Sequence, residues 1–344
     1  NVLTLMSGAI GVPISTGGAF AEQNYASFKW WGTEVTATWK DRIANKIDYS
    51  VSMNFGIGDN KTLTYFDQPF AYPSTMTTRK GVGQSTIAPA WGYRTWKQTS
   101  TGDGILRTDE DIDNYWNYLT DNAAKSGVAN AAPSYRNITS KAGMKKGMVA
   151  YEDVRGALDA TNKTYGGPNG QVQDDQDFVI LKKNMKSYGI ATNLSFSYKG
   201  ISLGAQILTS WGGLNQIDLV KQSTSSSVAM WAQPVYLNDM YDDSLNVNGK
   251  YPSIASADDF GGNNSDLWTI SSFRMYVRSL SLGYSLPKRI VSRARFESAR
   301  VYLTGNNLWD FYNPYPNKYR NMYDAPNVGY PTLRTWALGV NLGF

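Results

Sequence analysis

Apolar and polar residues alternate along the last ten positions of the chain, Thr335 to Phe344. Counting back in twos from Phe344, each residue is bulky and apolar as far as Trp336, and the residues between them are small or polar. This period of two predicts a β-strand. A strand of a soluble sheet can also alternate, but a bulky face that runs to a terminal aromatic, opposite glycine and asparagine, is typical of a barrel with lipid outside and water inside.

Six earlier segments show a related alternation and predict six further strands. They are residues 29–41, 46–58, 187–199, 201–211, 273–286 and 299–308. The last two are weaker, because arginine interrupts each of them. Arg278 is predicted to share a face with Leu280 and Leu282. Since a lipid-facing arginine costs about 2–4 kcal/mol at the bilayer midplane and little near its surface, we place Arg278 near a rim.

The connections between the predicted strands are alternately short and very long. The short ones are residues 41–45, 199–200 and 287–298, and the long ones are 59–186, 214–272 and 309–331. Outer-membrane barrels have this layout, whereas a compact soluble domain rarely contains a structureless connection of such length. The same alternation makes residues 1–27 the expected end of an outer loop.

About seven strands are too few for a closed barrel, which in bacterial single-chain proteins has an even number from 8 upwards. We therefore expect residues 1–344 to be the C-terminal part of a larger barrel. The chain begins at Asn1 without a signal peptide, so a mature form or a fragment is expected.

Composition narrows the classes of function. No run approaches the length of a transmembrane helix. The net charge of +5 comes from cations and acids scattered along the chain, which argues against nucleic-acid binding. With no cysteine and no histidine, disulfides, thiolate and histidine metal sites and Ser-His-Asp triads are excluded. An enzyme is disfavoured, since any base would be a carboxylate or lie upstream and no G-x-S-x-G motif occurs.

Several segments resemble the C-terminal half of the SusC/RagA-type TonB-dependent outer-membrane transporters of Bacteroidetes. Residues 265–287, SDLWTISSFRMYVRSLSLGYSLP, resemble the family's S-x-x-W…[KR]-x-[LIV]-x-L-G-Y-x-[LF]-P block. Residues 299–308, ARVYLTGNNL, resemble its R-V-Y-x-x-G-x-N-L segment, and the strand ending in Phe344 matches too. Residues 24–34 and 104–115 are similar to its N-x-G-x-E and G-x-F-x-[ST]-x-E-E-I-x-x-Y elements.

The resemblance implies an all-β fold: a transmembrane antiparallel barrel of about 22 strands with long extracellular loops, closed by an N-terminal plug. Plug, TonB box and earlier strands would lie upstream of this chain. The implied function is TonB-dependent import of oligosaccharides or oligopeptides across the bacterial outer membrane, with a SusD-like surface lipoprotein as lid. An outer-membrane barrel that serves secretion or adhesion without transport is the alternative. The family's assembly signal would correspond to Trp336, Leu338, Val340, Leu342 and Phe344.

Aromatic residues fall into two groups. Those at strand ends, such as Trp31 and Trp39, suit an interfacial girdle, whereas stacking on sugar rings suits aromatics in the loops instead. Aromatics in the loops beside polar donors are candidate ligand contacts, because aromatic faces bind the apolar faces of sugars. The candidates are Trp91, Tyr93, Trp96, Trp116, Tyr312, Tyr315 and Tyr319. The alternative is that these rings pack the long loops together.

Two acidic loop segments complete the picture. Asp109 to Leu119 predicts a capped amphipathic helix that contacts other loops or the lid. Asp153 and Asp159 correspond to the ends of a family loop that resembles a calcium site, but the middle ligand is missing. We therefore predict no cofactor, keep calcium at Asp153 and Asp159 as a weak candidate, and expect the acidic cluster Asp174–Asp177 to be solvated.

Overall fold

The computed structural model describes residues 2–6, 23–64, 82–83, 85–87, 89–159, 161–162, 164–217, 239–253, 264–315 and 333–344. The strands in chain order are β1 (Val2–Met6), β2 (Gln23–Ile43), β3 (Ile47–Thr64), β4 (Ala90–Gly92), β5 (Ser134–Tyr135), β6 (Leu158–Asp159), β7 (Thr164–Tyr165), β8 (Gln171–Val172), β9 (Val179–Lys182), β10 (Tyr188–Tyr198), β11 (Ile201–Trp211), β12 (Leu214–Gln216), β13 (Thr269–Ser271), β14 (Arg274–Ser285), β15 (Ser298–Tyr312) and β16 (Thr335–Gly343). The α-helices are α1 (Asp109–Lys125) and α2 (Lys288–Val291). Within this described part, no helix is long and apolar enough to span a membrane.

One antiparallel sheet of eight strands dominates the molecule, in the order β1-β2-β3-β10-β11-β14-β15-β16. Each strand pairs with the next large strand along the chain, so the sheet is a simple meander. All seven strands predicted from the alternation are present, and the short and long connections alternate as predicted. Among the described residues no ladder joins β1 to β16, so the sheet is open at both edges.

Strand β1, which the alternation does not predict, corrects one sequence prediction. Residues 1–27 were expected to be the end of an outer loop, yet Val2–Met6 pairs antiparallel with β2, with Met6 opposite Gln23 and Val2 opposite Phe28. A run of five residues that is apolar except for Thr4 is too short to show a period of two, so the sequence pattern gave no signal for this strand.

The strand register collects the apolar side chains on one face of the sheet. One row across seven strands runs Trp39, Val51, Leu194, Ala205, Leu280, Gly305, Trp336. Side chains on this face are exposed: Trp39 in this row is 64% exposed, and Leu338 in a neighbouring row is 75% exposed. We call this surface the apolar face. It confirms that the bulky residues of the predicted strands share one side.

The opposite surface, the polar face, carries hydroxyl and amide side chains. The neighbouring row across the same strands runs Thr38, Ser52, Asn193, Gln206, Ser279, Asn306, Thr335. Hydrogen bonds link it across the strands: Gln206 Nε2 donates to Asn193 Oδ1 at 3.0 Å, and the hydroxyls of Thr38 and Ser52 lie 2.9 Å apart. The sheet therefore separates an exposed apolar surface from a hydrogen-bonding one.

Arg278 lies at an irregularity in the pairing of β14, and its predicted position on the face of Leu280 and Leu282 stays a prediction. The register with β11 shifts, so that Gln206 pairs with Ser279 while Ile207 pairs with Val277. Arg278 is thus the extra residue of a β-bulge, which locally disrupts the ladder. Val277 pairs with Ile207 of β11.

The long connection between β3 and β10 contains a folded unit, residues 89–182, which we call the loop domain. Its core consists of side chains that are far apart in sequence. They are Tyr93, Trp96, Leu106, Ile112, Tyr115, Leu119, Tyr135, Met144, Met148, Val149, Ala150, Tyr151, Val172 and Phe178. A loop of this length needs such a core, because ordering each residue costs about 1–2 kcal/mol in backbone entropy.

Helix α1 supplies one wall of that core. Its N-cap Thr108 accepts a hydrogen bond from the Asp111 backbone N–H, and the Asp111 carboxylate accepts one from the Thr108 N–H. This reciprocal capping box satisfies donors that a helix start leaves free. Ile112, Tyr115 and Leu119 lie on the buried side of the helix. The predicted capped amphipathic helix is confirmed.

Candidate functional site

The polar face has two adjoining depressions at the end of the sheet where the short turns lie. Their volumes are about 580 and 330 Å³, and Asp48 and Ser197 line both. Arg42 Nε lies 2.5 Å from Asp48 Oδ1, although both side chains are more than half exposed, so this pair contributes little to stability. Arg300 Nη2 donates to Ser202 Oγ at 2.8 Å. Such groups can hold hydroxyls, amides or carboxylates of a polar molecule.

Two glycines keep the polar face flat beside these depressions. A Cβ on Gly283 would lie 2.6 Å from Arg300 Nη2, and one on Gly339 would lie 2.3 Å from the Tyr302 ring. Both contacts are closer than real Cβ atoms show, so only glycine lets the guanidinium and the phenol lie across the neighbouring strand. The glycines of the polar face therefore have a packing role that alternation alone did not reveal.

Four of the aromatic ligand candidates lie on the loop domain, but two of them are inside it. Tyr93 is 2% exposed and Trp96 is 4% exposed. Tyr93 stacks on Tyr151 with ring centroids 4.6 Å apart, and Trp96 packs on Tyr115 at 5.2 Å. Because both rings are buried and packed on other rings, these two side chains follow the alternative considered from the sequence, in which loop aromatics hold the loops together.

The remaining candidates lie nearer the surface. Trp91 and Trp116 pack against the outside of the loop core and are half-buried. Tyr312 ends β15 at the long-loop side of the sheet, where it is half exposed and packs against Phe273 at 5.1 Å. Tyr315 follows it and is partly buried. Tyr319 lies outside the described residues.

A tyrosine network at the centre of the loop domain was not recognised from the sequence as a unit. Tyr115 Oη donates to the Tyr151 carbonyl at 2.7 Å, and Tyr135 Oη donates to the Val149 carbonyl at 2.5 Å. Burial raises the pKa of Tyr115 and Tyr135 well above the usual value, so both hydroxyls remain protonated donors. At the edge of this network, the Tyr93 hydroxyl donates to Asp174. These bonds fix the loop backbone rather than present groups to a ligand.

The two calcium candidates accept hydrogen bonds from the protein itself. Asp153 is buried and accepts from the backbone N–H groups of Gly170 and Asn169 at 2.6 and 3.2 Å. Asp159 accepts from the N–H groups of Thr161 and Asn162 at 2.8 and 3.2 Å. Among the described residues, no three acidic, histidine or cysteine side chains converge as a metal site would require. Calcium at Asp153 and Asp159 stays a prediction of the sequence alone.

Asp177 corrects the expectation that the acidic cluster is solvated. Its side chain is fully buried and accepts from the backbone N–H groups of Val154 and Gln173 at 2.6 and 2.9 Å. Burial raises the pKa of Asp177 to about 7, because it outweighs those hydrogen bonds, and the nearby Asp153 carboxylate adds to the increase. The signal missed in the sequence is positional: Asp177 directly precedes the core residue Phe178.

The raised pKa of Asp177 predicts a pH dependence of the loop domain. The folded state holds this proton up to about pH 7, whereas the unfolded chain releases it near 3.8. The contribution of this protonation difference to the stability of the folded loop domain is therefore fully present below about pH 4. It is lost as the pH rises through 7. We expect amide exchange of residues 150–178, corrected for its intrinsic rate, to be faster at pH 8 than at pH 5, by up to about tenfold per pH unit. Asp177→Asn should flatten most of this slope, and an unchanged slope in that variant would contradict the assignment.

Comparisons with known proteins place this architecture. No protein-family model matches the chain. A curated protein, "TonB-dependent receptor P3" of Formosa agariphila (strain DSM 15362 / KCTC 12365 / LMG 23005 / KMM 3901 / M-2Alg 35-1), is 34% identical over 84 residues, which cover 20% of this chain and 8% of that protein. Its name is that of a receptor rather than an enzyme, in keeping with the expectation from composition.

Solved structures share the fold along nearly the whole chain. The RagAB peptide importer in the "closed-closed" state matches with a TM-score of 0.57 at 16% identity, covering 98% of this chain and 32% of that one. The "open-open" state of the same importer matches with a TM-score of 0.57 at 16% identity, covering 99% of this chain and 31% of that one. The RagAB peptide transporter matches with a TM-score of 0.56 at 16% identity, covering 98% of this chain and 32% of that one. The chain thus spans about a third of the structural relatives and 8% of the curated one. Together these matches confirm the resemblance seen in the motifs: the chain is similar to SusC/RagA-type TonB-dependent transporters and has the fold of about one third of a RagAB chain.

Proposed function

We propose that this chain forms the C-terminal strands and outer loops of a TonB-dependent outer-membrane transporter. In this proposal the barrel has about 22 strands, and a plug and TonB box lie in upstream sequence. The transporter imports oligosaccharides or oligopeptides together with a SusD-like surface lipoprotein. The observation that carries the proposal is the eight-stranded meander with one exposed apolar face and one polar face.

The extent of the apolar face supports membrane placement. Seven neighbouring strands spaced about 4.8 Å apart give a surface about 30 Å across. Soluble monomers rarely expose contiguous apolar patches larger than a few hundred Å². The face includes Trp31, Val35 and Trp39 on β2 and Trp336 and Leu338 on β16, all about half exposed or more. A bilayer would cover these side chains without any partner protein.

The polar face supports a water-filled interior. Its rows of serine, threonine, asparagine and glutamine bond to one another across strands, which leaves further donors and acceptors for water or cargo. The depressions near the short turns add charged groups to the same surface. A wall of this kind binds passing hydroxyls and amides weakly, which suits conduction better than retention.

The loop domain lies at the long-loop end and supports contacts with cargo and lid there. Trp91, Trp116, Tyr312 and Tyr315 are the candidates, among the described residues, that keep open surface. Rings beside polar groups suit the apolar faces of sugars and equally the side chains of peptides. The RagAB structures are of a peptide importer, so peptides stand beside oligosaccharides as cargo.

The test is uptake by cells that express the full-length gene with its neighbouring surface lipoprotein. Fluorescent oligopeptides and oligosaccharides of similar size are supplied separately to wild-type cells and to cells that lack TonB. We expect uptake of one class that disappears without TonB. Uptake of neither class, with the barrel present in the outer membrane at wild-type level, would contradict transport and favour a secretion or adhesion role.

A further inference from the structure

The short turn between β14 and β15 carries a set of exposed positive charges. It contains helix α2 and a 3₁₀ turn at Ser292–Ala294. Lys288, Arg289, Arg293 and Arg295 are all exposed, and we call these four residues the turn cations. Val291 is buried and anchors the turn, so the cations stand on a fixed element rather than on a free tail.

Ion pairs among the described residues are concentrated away from the turn cations. Eight of the nine ion pairs between described residues lie at the long-loop end. They join Arg94 to Glu152, Lys97 to Asp266, Arg107 to Asp103, Arg136 to Asp174, Lys141 to Asp113, Lys146 to Asp109, Lys186 to Asp59 and Arg274 to Asp310. Within the described part of the chain, none of the turn cations lies within ion-pair distance of a carboxylate. Their charge is available to a partner outside the chain.

The turn also borders the apolar face directly. Backbone hydrogen bonds join it to its neighbours on both sides: Ser285 N–H donates to the Gly200 carbonyl at 2.8 Å, and Glu297 N–H donates to the Gly343 carbonyl at 2.7 Å. The ring of Phe296 meets that of Phe344 edge-on, with centroids 5.0 Å apart. Ile290, between the cations, is 55% exposed. Apolar side chains and the turn cations thus lie next to each other at the short-turn end of the sheet.

We propose that the turn cations bind the phosphate groups of anionic phospholipids in the leaflet on the short-turn side. This inference rests on the proposed membrane placement of the apolar face. Long cationic side chains at the end of an apolar surface extend to the headgroup layer, and anionic headgroups attract them. The exposed Ile290 between the charges fits the boundary between acyl chains and headgroups.

The test uses the full-length protein in vesicles of phosphatidylcholine with a trace of spin-labelled phosphatidylglycerol or spin-labelled phosphatidylcholine. Electron spin resonance gives the association of each lipid with the protein surface. The variant carries Lys288→Gln, Arg289→Gln, Arg293→Gln and Arg295→Gln together. A matched variant removes four exposed lysines of the long-loop side by Lys125→Gln, Lys145→Gln, Lys183→Gln and Lys250→Gln.

We expect the wild-type protein and the matched variant to prefer phosphatidylglycerol over phosphatidylcholine. The turn variant should lose about fivefold or more of this preference, and added salt should weaken the wild-type preference. Equal preference in all three proteins, or an equal loss in both variants, would overturn the proposal while leaving the transporter assignment intact. A protein that shows no motionally restricted lipid of either kind would instead refute membrane placement itself.

Discussion

Replacing Leu338 with arginine is expected to prevent most of the protein from reaching the folded outer-membrane form. Leu338 is the most exposed apolar side chain of β16 within the sheet. On a lipid-covered face, arginine there costs about 2–4 kcal/mol near the midplane, which corresponds to a shift of about 30-fold or more in the folding equilibrium. The amount of heat-modifiable, folded barrel in the outer-membrane fraction measures this effect.

The control is the neighbouring residue at the same depth. Ala337 lies on the polar face in a row with Thr304, Ser281, Gly204 and Ser195. These small neighbours leave space for a long side chain, and the side is proposed to be wet, so Ala337→Arg should assemble nearly normally. Gly339 would be a poor control because of its contact with Tyr302. Equal losses in Leu338→Arg and Ala337→Arg would show that the two faces do not differ in their surroundings.

Replacing Tyr115 with alanine is expected to open the loop domain while leaving the sheet in place. Tyr115 is fully buried at the centre of the tyrosine network. Removing a large buried ring costs about 3–5 kcal/mol, and the Tyr151 carbonyl loses its hydrogen-bond donor as well. Cleavage of residues 89–182 by an external protease, measured on membranes that contain the full-length protein, should accelerate by a factor of about 100 or more.

Asn117→Ala on the same helix is the matched control, since Asn117 is exposed. Its cleavage rate should stay near that of the wild-type protein. Tyr115→Phe separates the two causes, because it keeps the ring and removes only the hydroxyl. If Tyr115→Ala were cleaved as slowly as Asn117→Ala, the aromatic cluster would not be what holds the loop domain together.

The strands of the sheet were predictable because one face of each had to be apolar throughout. Alternation in β2, β3, β10, β11 and β16 follows from that requirement alone. It fails where the backbone departs from regular pairing. At Arg278 a bulge interrupts the strand pairing, and β1 is too short for any period to appear. Both departures depend on hydrogen bonds to a neighbouring strand, which a single segment does not encode.

The loop domain was less predictable because its core has no period. Being aromatic and near polar residues makes Tyr93 and Trp96 ligand candidates in the sequence, but buried cores contain the same types of residue. Their partners, Tyr151 and Tyr115, lie elsewhere in the sequence. Asp177 likewise lies in an acidic run that suggests a solvated cluster. Its burial depends on a hydrogen bond from the Val154 N–H, which is distant in sequence. By contrast, α1 was recognisable because a capping box is a local signal.

The most direct measurement of the central claim is a cysteine scan of β16 in the full-length protein, made easier because this chain contains no cysteine. Single cysteines at positions 335–342, in a background without other cysteines, are exposed in intact membranes to a water-soluble maleimide. We predict that cysteines replacing Thr335, Ala337 and Asn341 react readily, whereas those replacing Trp336, Leu338, Val340 and Leu342 are protected by lipid. Rapid labelling at all of these positions would show that water, rather than acyl chains, covers the apolar face.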